Sequence, residues 1–201
     1  KRFCDLFQLS EHVIAMDGHF DQHHLDIFEG YLNDRAYVIH NQVKHRQEHT
    51  VEITHDQEGT RQHIMDCLKN GDHVICPCLD KSLAEQIEAQ ARSLFGDTKK
   101  VLLFSSLRPW TGGDVNVTWA EADLVIYTST IDCGVSFEVS GHFQRCVAFF
   151  NNSSGPTFET SAQMMSRSRD TKQFLLCLSP KTFPKQSADA HAILASMPVL
   201  A

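Results

Sequence analysis

Two groups of polar side chains in the second half of the chain have types and spacings that could do chemistry. In the first group, Thr128, Ser129 and Thr130 end an apolar run, and Gly134 follows shortly after. Loop amides and hydroxyl groups at the carboxyl end of a buried strand can donate hydrogen bonds to phosphate oxygens. The pattern favours a phosphate-binding loop about as strongly as it favours a plain turn capped by hydroxyl groups.

The second group is Gln163, Arg167 and Arg169, within a helix predicted over residues 159–169. Gln163 and Arg167 are four residues apart and share a helical face, whereas Arg169 points away from both. A clamp that uses both arginines therefore requires the helix to end, or the ligand to lie near its tip. A guanidinium fork can grip a phosphoryl group, although the segment taken alone is more typical of a solvated, basic helix end.

Apolar runs of strand length recur along the chain, and most are continuous rather than alternating. Continuous runs are typical of strands that are buried on both faces of a sheet. They alternate with helical patterns at residues 25–32, 64–68 and 83–94, and this alternation predicts βαβ units and a parallel sheet. The predicted strands cover residues 13–16, 36–39, 73–76, 101–104, 124–127, 145–150 and 173–178, and a last helix is predicted over residues 188–195.

Composition limits the class of protein. The 201 residues, of which 42% are hydrophobic, fit one large domain or one domain with a flank. The net charge of -7 gives no overall basic footprint, so any nucleic-acid binding must depend on locally placed amides, hydroxyls and a few cations. Seven cysteines scattered through the chain indicate reduced core thiols, and no segment has the apolar length of a membrane span. We therefore expect an intracellular protein.

Several ligand-like patterns favour a plainer interpretation. Residues 45–49 (HRQEH) match an inverted zinc-protease pattern but lie in no amphipathic helix, so a metal-dependent hydrolase is a weak hypothesis and no metal site is predicted. The acidic and histidine residues at 17–24 are typical of a polar loop after a strand. Trp119 is predicted to pack in the core, whereas Trp110 could either pack or present its ring to an unpaired base.

Together, the two polar groups resemble motifs V and VI of superfamily 2 helicases. Residues 123–130 (DLVIYTST) continue to GVSF at 134–137, a run most similar to that of the herpesvirus origin-binding protein family. Residues 163–170 (QMMSRSRD) are similar to motif VI, residues 74–82 (VICPCLDKS) to motif IV, and residues 13–18 (VIAMDG) to the strand of motif III. The resemblance implies the second RecA-like lobe of a helicase, which is a three-layer αβα domain with a mostly parallel sheet.

The resemblance also implies roles for the matching residues on the nucleic-acid side. Thr128, Ser129 and Thr130 would contact the nucleic-acid backbone. Ser82 would contact a strand phosphate from the start of a helix.

On the nucleotide side, the resemblance places Asp132 and Gly134 near the nucleotide. Gln163 and Arg167 would face the nucleotide cleft, with Arg167 as the arginine finger. Arg169 is the second arginine, although the usual motif has it one residue later.

The chain contains no Gly-Lys pair and hence no phosphate loop of the helicase type. We therefore expect ATP and Mg²⁺ to be bound mainly by a first lobe outside this chain, and the chain alone to be inactive. Residues 1–34 are assigned to the end of that first lobe and a linker, and residues 35–201 to the C-terminal lobe. A further linker is predicted near residues 42–49.

The leading hypothesis is the C-terminal lobe of an ATP-dependent DNA helicase of the viral origin-binding type. Its expected partners are single-stranded or duplex DNA, the N-terminal helicase lobe and replication proteins, at a nuclear or cytoplasmic replication site and with no membrane contact. The alternative is a non-catalytic nucleic-acid or protein interaction module on the same fold. The acidic net charge and the displaced Arg169 favour that alternative slightly.

Overall fold

The structure of the chain is a computed structural model. It describes residues 9–10, 13–14, 22–32, 37–39, 47–131, 135–151 and 158–179. The predicted helix over residues 188–195 and the predicted boundary between residues 34 and 35 lie outside these ranges, so both stay predictions.

The chain divides into two compact units, residues 1–45 and residues 46–201. The first unit contains helix α1 (Gln22–Leu32), which includes the predicted helix over residues 25–32. Residues 13–14 and 37–39 are described and form no strand, so the strand predictions are wrong at these positions. Tyr37 is 92% exposed, and an apolar run of this kind does not form a strand unless a neighbouring strand pairs with it.

The second unit is built on a six-stranded sheet in which every strand is parallel to its neighbours, in the order β1-β6-β5-β2-β4-β3. Its strands are β1 (Thr50–Thr54), β2 (Val74–Pro77), β3 (Val101–Phe104), β4 (Leu124–Tyr127), β5 (Arg145–Asn151) and β6 (Gln173–Ser179). Its helices are α2 (Gln57–Asn70), α3 (Lys81–Phe95), the 3-10 turn Gly96–Thr98, α4 (Val115–Ala120) and α5 (Phe158–Met165).

Alternate residues of each strand face opposite sides of the sheet and fill two separate cores. In β4, Leu124 and Ile126 belong to the first core, whereas Val125 and Tyr127 belong to the second. The apolar stripes of α2 and α3 cover the first core, and side chains from α4, α5 and the segment 135–143 cover the second. Helices therefore cover both faces of a parallel sheet, which confirms the predicted three-layer RecA-like α/β fold.

Aspartate caps fix where two helices begin. The side chain of Asp56 accepts the amide N–H of Gly59 (2.9 Å) at the start of α2, and the side chain of Asp80 accepts that of Leu83 (3.1 Å) at the start of α3. Helix α2 ends at Gly71, whose φ of 90° lies in the left-handed region that glycine tolerates best. Because the caps follow β1 and β2, both helices begin at the carboxyl edge of the sheet.

Two elements of the structure are not predicted by the apolar-run pattern. Strand β1 (TVEIT) alternates apolar and polar residues, and within the described part of the chain it pairs only with β6. It is an edge strand, and its Val51 and Ile53 are 53% and 63% exposed, so it lacks the continuous apolar run of a central strand. Helix α4 has six residues, which is too short to show a helical repeat.

The predictions of core cysteines and of a packed Trp119 are confirmed within the described residues. Five described cysteines are free and buried: Cys67, Cys76, Cys78, Cys146 and Cys177. Burial raises the pKa of Cys78 to about 12, so this thiol is not a reactive thiolate at neutral pH. Trp119 is fully buried and stacks on Tyr127 at a ring-centroid distance of 5.7 Å. No helix in the described ranges is long and apolar enough to cross a membrane.

Candidate functional site

The predicted hydroxyl loop leaves the sheet at the carboxyl end of β4. The Thr128 amide donates to the carbonyl of Phe104 at the end of β3 (3.0 Å), and the amide of Cys78 donates to the carbonyl of Tyr127 (2.9 Å). The ends of β2, β3 and β4 are thereby held together by backbone bonds. The structure therefore provides a fixed edge from which the loop projects, as a phosphate-binding loop requires.

The three hydroxyl residues of this loop are not equivalent. Thr128 is buried, and its Oγ1 lies 3.1 Å from Oγ1 of Thr130 within the loop. Ser129 and Thr130 are exposed. Of the three predicted contact residues, Ser129 and Thr130 are thus the two whose side chains a ligand can reach directly, while Thr128 supports Thr130.

Ser82 lies near the same edge, in the first turn of α3. It is exposed, and its Oγ accepts a long hydrogen bond from Nε2 of Gln86 (3.4 Å). Because α3 starts shortly after the end of β2, and β2 pairs with β4, Ser82 and the hydroxyl loop belong to neighbouring connections. Asp132 and Gly134 lie outside the described residues, so their predicted nucleotide contacts stay predictions.

Arg167 does not lie on a helix, which corrects the predicted helix over residues 159–169. Helix α5 ends at Met165. The hydroxyl of Ser166 donates to the carbonyl of Ala162 (2.8 Å), and the Arg167 amide donates to the carbonyl of Met164 (3.2 Å), so the last turn tightens and stops. Gln163 and Arg167 therefore do not share a helical face, and the predicted shared face is wrong.

The end of α5 meets the condition for using both arginines, because the helix stops before Arg167 and the chain turns at residues 166–167. Phe137 and Ser168 form an isolated parallel bridge. The amide of Phe137 donates to the carbonyl of Arg167 (2.8 Å), and the amide of Arg169 donates to the carbonyl of Phe137 (3.0 Å). The bridge brings the second half of the predicted motif V beside the predicted motif VI.

The guanidinium of Arg167 is half-buried and held by the protein backbone. Its Nη1 donates to the carbonyl of Val135 (3.2 Å). Its Nε is buried and has no hydrogen-bond partner within the described residues. No carboxylate of the described part of the chain forms an ion pair with Arg167, so its positive charge is positioned but not neutralised. Such a group is suited to meet an anion supplied from outside.

Arg169 and Gln163 have different surroundings. Arg169 is exposed, and its Nε donates to Oγ of Ser136 (2.9 Å), whose hydroxyl lies 3.3 Å from a carboxylate oxygen of Glu138. Gln163 is exposed on α5, and its backbone carbonyl accepts the backbone amide of Ser166 (3.1 Å). The structure thus brings Arg167 and Arg169 to the same segment, 135–137, and leaves Gln163 one turn away on the helix.

Tyr127 is a residue of this site that the sequence patterns do not single out. Its hydroxyl donates to the carbonyl of Met164 (2.6 Å) across 37 residues of chain. It is fully buried, and burial raises the pKa of the phenol well above its usual range. An aromatic residue with a polar tip at the last position of a buried strand is a usable signal, because a buried Tyr hydroxyl normally finds a partner.

Comparison with known proteins identifies the family. Residues 33–178 match the family described as origin of replication binding protein. The chain belongs to this family. The match covers both polar groups of the candidate site, so the bridge between Phe137 and Ser168 lies inside the family's own domain.

Relatives of this family member occur in African swine fever virus. A proposed helicase/primase complex protein of the strain Badajoz 1971 Vero-adapted is 27% identical over 187 residues, which is 89% of this chain and 17% of that protein. The corresponding protein of the isolate Warthog/Namibia/Wart80/1980 is 27% identical over 197 residues, which is 93% of this chain and 18% of that protein. The chain therefore spans about a sixth of the length of these relatives.

Solved structures give weaker matches. The C-terminal domain of a proposed DNA helicase from Lactobacillus plantarum WCFS1 is 12% identical, with a TM-score of 0.39 over 67% of this chain and 77% of that chain. The helicase domain of Hef from Pyrococcus furiosus is 15% identical, with a TM-score of 0.35 over 69% of this chain and 27% of that chain. The family assignment rests on the sequence match alone.

Proposed function

We propose that the chain is the C-terminal lobe of an ATP-dependent DNA helicase of the viral origin-binding type. Membership of the origin of replication binding protein family and the similarity to helicase/primase complex proteins of African swine fever virus support a role in replication. In this proposal the lobe contributes motifs IV, V and VI to DNA unwinding. Opening and closing of the cleft between two lobes would couple hydrolysis to strand movement.

The observation that most supports this proposal is the set of contacts made by the Arg167 guanidinium. A backbone carbonyl orients its guanidinium, its Nε is buried without a partner in the described residues, and no described carboxylate pairs with it. An arginine finger needs these properties, because it must deliver a fixed positive charge to a phosphoryl group during transfer. Arg167 is therefore assigned as the arginine finger, and Gln163 and Arg169 as neighbouring residues of the nucleotide cleft.

The nucleic-acid contacts are assigned to the carboxyl edge of the sheet. Ser129 and Thr130 offer exposed hydroxyl groups at the end of β4, and Ser82 offers one at the start of α3. Hydroxyls and loop amides bind phosphate without sequence preference, which suits a motor that moves along a backbone. Such contacts also agree with a net charge of -7, because they require few cations.

The proposed helicase also requires ligands and partner proteins. ATP and Mg²⁺ would be bound mainly by a first helicase lobe, with Asp132 and Gly134 of this chain near the nucleotide. Arg167 suits the phosphate groups of such a ligand because its charge has no carboxylate partner among the described residues. The other proposed partners are single-stranded or duplex DNA and further replication proteins, at an intracellular site of viral replication.

The test is Arg167→Ala in the full-length protein that contains this chain. Because an arginine finger contributes about 10³- to 10⁵-fold to the rate of phosphoryl transfer, DNA-stimulated ATP hydrolysis should fall by about 10³-fold or more. The dissociation constant for single-stranded DNA should change by less than about threefold, since Arg167 is not a proposed nucleic-acid contact.

Arg145→Ala is the matched control. Arg145 is a partly exposed arginine at the start of β5, 3.5 Å from a carboxylate oxygen of Asp72, at the opposite edge of the sheet. Removal of this partly exposed pair, which lies far from the candidate site, should leave the ATPase rate unchanged. If Arg167→Ala retained full DNA-stimulated hydrolysis, the finger assignment would be wrong, and a non-catalytic interaction module would become the better explanation of the fold.

A further inference from the structure

One carbonyl group joins β4 to the segment that carries Arg167. The carbonyl oxygen of Met164 accepts the hydroxyl of Tyr127 at 2.6 Å and the amide of Arg167 at 3.2 Å. Both donors therefore meet at the last turn of α5, where the chain leaves the helix. The Met164 carbonyl that accepts the Tyr127 hydroxyl therefore also helps to position the backbone of Arg167.

The ring of Tyr127 is packed in the second core. Tyr127 is the last residue of β4, and its ring is fully buried against Trp119. The backbone of Tyr127 is held in place because β4 pairs with β2 on one side and with β3 on the other. Burial raises the pKa of its phenol well above the usual range, so the group remains a donor at physiological pH.

The hydroxyl loop begins at the next residue. Thr128 follows Tyr127 directly, and the exposed Ser129 and Thr130 come after it. A phosphate that binds Ser129 and Thr130 restricts the loop, and a restricted loop restricts the strand end that carries Tyr127. Ordering of Ser129 and Thr130 by a ligand can therefore reduce the conformational freedom of Tyr127 without a large movement.

The far end of the same loop also reaches Arg167. The carbonyl of Val135 accepts Nη1 of Arg167 (3.2 Å), and the amide of Phe137 donates to its carbonyl (2.8 Å). Described residues on both sides of this stretch thus contact the Arg167 segment: Tyr127 through Met164 on one side, and Val135 and Phe137 on the other. Arg167 is therefore held by contacts on both sides of Ser129 and Thr130.

We propose that Tyr127 is a positioning residue that fixes Arg167 when DNA engages Ser129 and Thr130, so that the stimulation of hydrolysis by DNA passes through the Tyr127 hydroxyl. This inference rests on the proposed role of Arg167 as the arginine finger. Tyr127 touches neither nucleotide nor DNA; it acts through the Met164 carbonyl. A finger that is misplaced by a fraction of an ångström loses much of its effect, which makes one hydrogen bond at this turn important.

The experiment uses Tyr127→Phe in the full-length protein, with single-stranded oligo(dT) as the DNA probe. The substitution removes one hydroxyl and keeps the ring. The kcat of DNA-stimulated ATP hydrolysis should fall about five- to tenfold, which is the factor that corresponds to one neutral hydrogen bond. The KM for ATP and the dissociation constant for oligo(dT) should change by less than about twofold, because no binding contact is removed.

Tyr37→Phe is the matched control, because it removes the hydroxyl of a tyrosine that is 92% exposed. It should leave all three parameters unchanged. The double variant Tyr127→Phe/Arg167→Ala should be no slower than Arg167→Ala alone, because Tyr127 acts through Arg167. A further loss in the double variant would indicate a general structural role and would overturn the inference.

The outcomes separate this inference from the proposed function. Full stimulation in Tyr127→Phe, together with an inactive Arg167→Ala, overturns the role of Tyr127 and leaves the arginine finger in place. An active Arg167→Ala overturns both.

Hydrogen exchange of the wild-type full-length protein provides a second measurement, which does not depend on the folding of any variant. Saturating oligo(dT) should slow exchange of the Arg167 amide in peptides covering residues 164–169, while peptides from α2 should be unchanged. Unaltered exchange at residues 164–169 overturns the inference.

Discussion

Glu88→Gln is expected to destabilise the domain by about 2 kcal/mol. The Glu88 side chain is 8% exposed, and its Oε1 accepts Nε and Nη2 of Arg92, both at 3.1 Å. Nη1 of Arg108 lies 2.8 Å from Oε1 and 2.7 Å from Oε2. Because Arg92 lies on α3 and Arg108 on the turn after β3, this carboxylate joins a helix to a loop.

The magnitude follows from the unequal burial of the partners. Hydrogen bonds to charged groups contribute about 1.5–3 kcal/mol each, and breaking a fully buried ion pair costs about 3–5 kcal/mol. Arg92 and Arg108 are each 55% exposed, so water can solvate both guanidinium groups once the carboxylate is neutralised. We therefore expect a loss near the lower end, about 2 kcal/mol, rather than the sum of the four contacts.

Urea unfolding of the 201-residue chain measures this loss, and for a domain of this size about 2 kcal/mol corresponds to a fall in Tm of about 4–8 °C. Glu85→Gln is the control on the same helix, because Glu85 is 45% exposed and lies 3.9 Å from Lys81. It should change the free energy of unfolding by less than about 0.5 kcal/mol. A loss for Glu88→Gln no larger than that of the control would refute the reasoning.

Two further predictions concern pH and the second arginine. Burial lowers the pKa of His142 below its usual value of about 6.5. The unfolded chain therefore binds more protons than the folded chain as the pH falls, so stability that is present above about pH 6.5 is lost as the pH falls through the folded pKa. His142→Gln should flatten this loss in urea unfolding between about pH 7.5 and pH 5, and an unchanged slope would contradict the assignment. Arg169→Ala, which removes the contact with Ser136, should lower DNA-stimulated hydrolysis in the full-length protein by less than about tenfold. A loss as large as that of Arg167→Ala would indicate that Arg169 shares the role proposed for Arg167.

The central strands could be predicted from the sequence because they are buried on both faces. Strands β2 and β4 are buried at every position, so they appear in the sequence as continuous apolar runs. The same criterion fails at β1, whose Val51 and Ile53 are largely exposed at the sheet edge. It also fails in the opposite direction at residues 37–39, where an apolar run forms no strand.

The polar groups of the candidate site could be found by residue type, but their arrangement could not. The end of α5 depends on the bridge between Phe137 and Ser168, which joins distant parts of the chain, so a helical repeat extends the helix wrongly to Arg169. The contact of Tyr127 with Met164 spans 37 residues and leaves no periodic trace in the sequence. Local patterns report propensity and burial, whereas these positions are set by tertiary hydrogen bonds.

The pairing of β1 with β6 has a consequence for synthesis of the chain. Thr50 pairs with Gln173, and His55 contacts the carbonyl of Leu178 across 123 residues. During translation, β1 emerges before β6 and has no described neighbour until β6 leaves the ribosome, and until then the outer edge of β5 is also unpaired. Closure of so long a loop is slow, and open edges of this kind favour aggregation. Expression fragments that stop before Gln173 should therefore be insoluble. Fragments that extend through Ser179 contain β6, which pairs with both β1 and β5, and should be soluble.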